Sequence, residues 1–367
     1  MAGAPARPYI GGQAVIEGVM MRAPGGVAVA VRRADGALVV RDGPLPRGLR
    51  SKAWKLPGLR GIGTLFESLS LGYSALQFSA EQAGVDDADA AKKAETAKKS
   101  GITSLLPLLL FPAMAADGGG ETGGGGSGGG SRGAMMLSTV LALGLFIALP
   151  QALATGAGWL FGVELGLTDW RFHALTGAFK LAVLTTYMIG ISRIPEIRRV
   201  FQYHGAEHKT IFAYEAQKEL TVANVRAEST LHPRCGTTFL ITVVIVSVIL
   251  GSIITPIVLP NASGLEGQIL TLALRISLLP LIAAISYELQ RFSARYCTTG
   301  PLRVLLYPGF LFQKITTREP DDTQIEVAIA AMQSAVWRDR NAGDAGANDT
   351  KTREFPSLEG ALAHYAA

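Results

Sequence analysis

Four long apolar stretches dominate this chain: Ala134 to Trp159, His173 to Ile194, Thr238 to Pro260 and Ile269 to Leu289. Each is longer than the roughly 18–20 residues that a helix needs to cross a bilayer. The first is interrupted by Pro150 and Gln151. The second carries Lys180, the third no charge, and the fourth Arg275 with Glu288 at its end. A fifth apolar stretch, within 101–116, is shorter and contains Pro107 and Pro112. It is expected to lie at the interface or re-enter rather than cross. The pattern therefore predicts about four transmembrane helices over residues 134–289.

Outside the spans the periodicity changes. Within 9–50, Val27 to Arg33 and Ala37 to Arg41 alternate around Asp35-Gly36, a strong hairpin signal, and Gln13 to Arg22 reads as a third strand. Residues 51–100 read as an amphipathic helix followed by a charged linker. Leu59, Ile62, Phe66, Leu69, Tyr73 and Leu76 recur every three or four positions between Pro57 and Gln82. Residues 117–133 are dominated by glycine and read as a flexible linker without the ending of a phosphate loop. In the loop 193–237, Pro195 to Lys218 predicts a helix, with Pro195 suited to its first turn. Residues 290–337 read as further helices, the last opened by Asp321 and Asp322, which capping explains. The segment 338–367, rich in Ala, Gly, Asn and Asp, reads as a disordered tail.

Charge orients the spans. Only 17% of residues are charged, below the roughly 25% of soluble domains. Lys and Arg concentrate before the first span, in 193–237 and after the fourth, while 160–172 holds only Arg171 and 261–268 holds none. Basic loops face the cytoplasm, so both termini are expected there. Cys235 and Cys297 fall on the same side, where thiols stay reduced. The net charge of +5 suits anionic lipid heads, and no motif points to nucleic acid.

The candidate chemistry lies in the loop between the second and third spans. His204 and His208, four apart on a helix, share a face with Glu207 beside them. This is the His-x-x-Glu-His arrangement of inverted zinc motifs, two imidazole ligands and a carboxylate able to act as base. Its bland counterpart is a juxtamembrane helix whose imidazoles meet lipid phosphates or carbonyls. Gly205 inside that helix costs about 1 kcal/mol relative to alanine, which suits a position where something packs closely. His232 and Cys235 follow. They complete a closed structural zinc site, or supply one ligand beside water, or form a plain turn into the third span. Glu288 is a candidate further ligand or a membrane-end residue pairing with an arginine. Glu17 faces either the site or solvent. Lys180 and Arg275 mark an ion path or snorkel outwards.

The stretches Gly11 to Arg22, Phe201 to Thr210, His232 to Thr237, Ser286 to Glu288 and Thr316 to Asp322 resemble the YqhQ-like family. That is a bacterial family of uncharacterised membrane proteins described only as predicted metal-dependent enzymes. The resemblance runs over most of residues 9 to 335. It implies a bacterial cytoplasmic membrane protein and supports the site, without implying a substrate.

The expected architecture is an α-helical multi-pass membrane protein with a small cytoplasmic α+β lobe. The expected function is that of a metal-dependent enzyme, most plausibly a hydrolase. Glu207 would be the catalytic base, and His204, His208, His232, Cys235 and Glu288 the candidate ligands of a divalent metal, zinc by donor type. The alternative is a non-catalytic assembly protein with a structural zinc site. The expected partners are the bilayer, an unidentified substrate and, as an open alternative, further copies in a homo-oligomer.

Overall fold

The computed structural model describes residues 8–45, 59–84, 137, 139–163, 165–297, 301–341 and 349–366. The expectations for the charged linker up to Ser100, for 101–116 and for 117–133 lie outside the described residues. Five strands, β1 (Gly11–Val15), β2 (Gly18–Ala23), β3 (Gly26–Arg32), β4 (Leu38–Gly43) and β5 (Lys351–Phe355), form an antiparallel sheet in chain order. In chain order the helices begin with α1 (Leu59–Gln82), α2 (Thr139–Leu160), α3 (Trp170–Ile191), α4 (Pro195–Glu215), α5 (Val222–Arg226) and α6 (Gly236–Val258). They continue with α7 (Gly264–Ser277), α8 (Leu279–Tyr296), α9 (Tyr307–Thr316), α10 (Asp322–Arg340) and α11 (Leu358–Ala366).

The sheet is buried on both faces because its strands alternate between two apolar sets. Val19, Met21, Ala28, Ala30, Leu38 and Val40 pack against Ile325, Ile329 and Met332 of α10 and against α4. Met20, Val29, Val31 and Val39 pack against Leu71, Ala75 and Phe78 of α1. The hairpin turn at Asp35-Gly36 is where the alternation places it, with Gly36 at φ 90°. The single strand expected through Gln13 to Arg22 is instead two. Val15 pairs with Gly18 across a tight turn in which Glu17 has φ 50°. Val15 and Val19 consequently pack into opposite cores, not the common one that uninterrupted alternation implies.

The expected disordered tail is corrected as well. Residues Lys351–Phe355 add the fifth strand to the edge of β4, with Asp42 opposite Lys351 and Leu38 opposite Phe355. Asp42 is fully buried. It pairs with Arg353 of β5 and with Arg338 of α10, at 3.4 Å for the latter. β5 is mostly polar because it is an exposed edge strand, so it carries no apolar alternation to announce it. At the head of α10, Asp321 forms a capping box with Gln324, as its sequence position suggests.

Three helices, α2, α3 and α6, are long and apolar enough to cross a membrane, and α7 with α8 makes a fourth if the bent pair is one span. The pair bends by 49°. Pro280, near the start of α8, lacks an amide proton and its ring clashes with the carbonyl four residues back. Pro150 acts more mildly in α2, where a π-helical turn at Gly144–Ala148 precedes it. The loops after α2 and α6 meet at one end of these helices, where Ala154, Leu167 and Phe172 cluster with Ala262. The opposite end joins the lobe through α4 and through the contacts of α1 with α8 and α9 with α6.

Replacing Arg353 with Ala removes the closest partner of the buried Asp42 carboxylate, leaving Arg338 and the Tyr365 hydroxyl, each at 3.4 Å, at a cost on the order of 2 kcal/mol. The expected result is a Tm of the purified protein lowered by several degrees, with a smaller loss for Arg353→Lys.

Candidate metal centre

α4 starts at Pro195 and presents His204, Glu207 and His208 toward the beginning of α6. Gly205 is obligatory. A Cβ there would lie 2.0 Å from the Arg318 carbonyl oxygen, because the chain after α9 runs directly against α4. The Arg318 amide donates to the Phe201 carbonyl at 2.9 Å across the same contact. That contact delivers the Thr316 carbonyl to His204, whose Nδ1 donates to it at 2.8 Å.

A second carbonyl serves His208. The connection after α4 is folded back by the buried Lys209, whose Nζ donates to the carbonyls of Arg226 at 2.9 Å and Glu228 at 2.8 Å. Lys209 also pairs with Glu319 at 3.0 Å. This places the Thr230 carbonyl on His208 Nδ1. With both Nδ1 atoms acting as donors, each neutral imidazole keeps its lone pair on Nε2.

Cys235 caps the N-terminus of α6. Its sulfur accepts the Thr237 amide at 3.4 Å and lies 3.3 Å from His204 Nε2. Gln290 of α8 fixes its carbonyl at 3.0 Å. The donor atoms of His204, His208 and Cys235 all lie within 4.8 Å of one another. A tetrahedral zinc site of imidazole and thiolate needs separations of about 3.3–3.6 Å, so modest side-chain movement closes the set. The three side chains are 16% or less exposed.

Glu207 lies beside the cluster, with Oε2 4.0 Å from His204 Nε2. β1 presses on it: a Cβ on Gly12 would lie 2.7 Å from its Cγ and Oε1. Burial raises the Glu207 carboxyl above the usual range, against the opposing pull of His204 and His232. Burial, followed by the His204 charge, pushes His208 down.

His232 is held next to the cluster rather than in it. Its ring centroid is 5.6 Å from that of His208. Its amide and carbonyl are clamped by Gln313 of α9, both at 2.8 Å. Its Nδ1 accepts the Arg234 amide at 3.3 Å, so Nε2 carries the proton. That Nε2 is buried without a hydrogen-bond partner, 3.6 Å from Glu215. Burial lowers the imidazole to about 4, so it is neutral near pH 7.

Glu288 does not join the three donors. Both of its oxygens face the Arg60 guanidinium of α1, which ties α8 to the lobe. Glu17 is engaged by Arg199 at 2.5 Å and by the Tyr203 hydroxyl at 3.2 Å, pinning the β1–β2 turn onto α4. The residues that sequence reasoning passed over are Gln313, Lys209 and Gly12. A lone amide in the apolar run of α9 was the available signal for Gln313. The Thr230 and Thr316 carbonyls act through the backbone and leave none.

The model of a family described as "Protein of unknown function (DUF1385)" matches residues 56–338. The chain is 33% identical over 329 residues to "Uncharacterized protein YqhQ" of Bacillus subtilis (strain 168), covering 89% of this chain and 91% of that protein. No solved structure matches.

Two predictions follow from the geometry. Gly205→Ala forces α4 away from the Arg318 carbonyl and should destabilise the protein by about 3 kcal/mol or more, read as a large fall in Tm. In metal-free protein the buried His208 and His232 are neutral, while unfolded imidazoles take protons below about pH 6.5. Their share of stability is therefore complete above that pH and lost on acidification, toward about 4 for His232. Glu207, raised by burial, has the opposite sign and costs stability as pH rises. Melting in chelator across this range should show an acid-side fall that His232→Gln makes shallower.

Proposed function

Since the chain belongs to the DUF1385 family of proteins of unknown function, its chemistry has to be argued from its own residues, and we propose that it is a membrane-bound, metal-dependent hydrolase. The observation that carries this reading is the convergence of two imidazoles and one thiol, with one donor atom of each within 4.8 Å of the others and each imidazole oriented by a backbone carbonyl. Imidazole ligands of metals are characteristically held this way, by a hydrogen bond from the other ring nitrogen. Two nitrogens and a soft sulfur suit zinc. Three protein ligands would leave room for a water ligand, and Glu207 lies beside the cluster.

A divalent metal at this place would act as a Lewis acid that lowers the pKa of water toward about 7. Glu207 is the group to take the proton, since its burial raises its basicity toward neutral pH. The neutral His232 stands beside the cluster, its Nδ1 taken by the Arg234 amide, and adds no charge near Glu207. The three apolar helices and the bent pair are read as four spans of a bacterial cytoplasmic membrane. The lobe gathers the sheet before the first span, the connection between the second and third, and the helices after the fourth. This suits both termini lying on one side, the basic and therefore cytoplasmic one.

The low exposure of Cys235, 5%, and of His208, 2%, favours a second reading. In it the metal is a structural clip between α4 and α6 in a non-catalytic assembly protein.

The first measurement is the metal content of purified protein by elemental mass spectrometry. About one zinc per chain is expected in the wild type, lost in a folded His204→Ala/His208→Ala double variant. Wild-type protein that neither contains nor takes up metal removes both readings. Cys235→Ser and Glu207→Gln then separate them. Loss of cellular function by Glu207→Gln with metal and Tm unchanged supports the hydrolase. Metal loss and unfolding by Cys235→Ser, with Glu207→Gln harmless, supports the clip.

A further inference from the structure

We infer that His173, Lys180 and Arg275 form an oxyanion-binding site, for a phosphate or carboxylate group, among α3, α6 and α7 at the end of the helices remote from the metal centre. His173 stands in the first turn of α3 and is 2% exposed. Gly251 of α6 makes room for it, since a Cβ there would lie 2.8 Å from its Nδ1. Arg275 of α7, 8% exposed, places Nη2 3.1 Å from the same Nδ1. A guanidinium has donors only, so Nδ1 is the acceptor and the imidazole proton is on Nε2. That Nε2 is buried and has no partner at full hydrogen-bond geometry, with the Leu167 backbone as the one polar group acting on it.

Lys180, two turns further along α3, reaches the Ser247 hydroxyl at 3.2 Å. Ser247 already donates its proton to the Val244 carbonyl at 2.8 Å, so it can only accept from the ammonium. The Arg275 guanidinium also lies 5.7 Å from the centre of the Phe172 ring. The side chains of this cluster thus present donors in surplus over acceptors. Charge tells the same story. Among the described residues neither Lys180 nor Arg275 forms an ion pair with a carboxylate. Asp169, the acid that acts on His173, is occupied in capping α3 through the Arg171 amide at 2.9 Å.

Buried cations are stabilised by a counter-charge that accepts their hydrogen bonds, and isolated ones are costly. An oxyanion meets both needs, because its oxygens accept hydrogen bonds from guanidinium and ammonium groups. A cation path is excluded by the sign of the cluster. The same phosphate chemistry is offered by an anionic lipid headgroup and by free phosphate. This inference stands on the burial and donor geometry of α3, α6 and α7 and is independent of the metal.

The test uses the full chain, delipidated in non-ionic detergent, with native mass spectrometry and thermal shift as readouts. Phosphatidylglycerol, phosphatidylcholine and inorganic phosphate are titrated separately. Expected is binding of phosphatidylglycerol or of phosphate at least about tenfold tighter than of phosphatidylcholine. Arg275→Gln should abolish that preference and Lys180→Gln should weaken it severalfold. Preference for phosphatidylglycerol that phosphate does not compete away identifies a lipid headgroup, and binding of phosphate alone identifies a free anion. Equal binding of all probes, or a preference unchanged in both variants, overturns the site. Should Arg275→Gln fail to fold, the affinity of Lys180→Gln decides alone, and a wild-type value overturns it.

Discussion

The close approach of α4 to the chain leaving α9 governs the rest of the molecule. Gly205 permits it, the amide of Arg318 locks it, and the Thr316 carbonyl uses it to set the His204 proton. α9 is carried along, and Gln313 on it clamps both the amide and the carbonyl of His232. The same Gln313 side chain donates to Thr238 at 2.9 Å, in the first turn of α6 just after Cys235. One interhelical contact thereby couples a helix of the lobe to the start of an apolar helix. A small displacement there is felt at every donor atom of the cluster, because packed interiors transmit strain rather than absorb it.

The two ends of the apolar helices have opposite electrostatic character. At the lobe end, hydrogen bonds to backbone carbonyls occupy the protons of His204 and His208 and leave lone pairs converging. At the far end, Arg275 takes the lone pair of His173 and leaves a proton. The same residue type is thus turned into an acceptor in one place and a donor in the other by its single neighbour. Identity alone says little about a histidine; the partner of its other nitrogen decides what it can hold.

Much of the fold was legible because its signals are periodic. The β3–β4 hairpin, α1 and the apolar helices announce themselves through alternation, a three-to-four spacing and length. The misreadings arose where a local conformation broke the period. Glu17 turns the chain at φ 50°, a geometry usually advertised by glycine or asparagine. Lys351–Phe355 makes a polar edge strand whose pairing partner is remote in sequence. At the site, spacing within α4 suggested His204 with His208 and proximity in sequence suggested Cys235, and the three side chains lie together. His232 is equally near in sequence, yet its tautomer and distance set it aside, and Glu288 is claimed by an arginine from α1. Those outcomes depend on tertiary partners that no local pattern encodes.

The sheet that supports α4 is closed by a strand from the other terminus, and Arg353 meets Asp42 across 311 residues of sequence. During synthesis at about 5–20 residues per second, β4 therefore waits roughly 15–60 s for its last neighbour. Every apolar helix is made in that interval. The lobe reaches its final order only after the whole helical region has left the ribosome. Until then the β4 edge lacks its neighbour and the Asp42 carboxylate lacks Arg353.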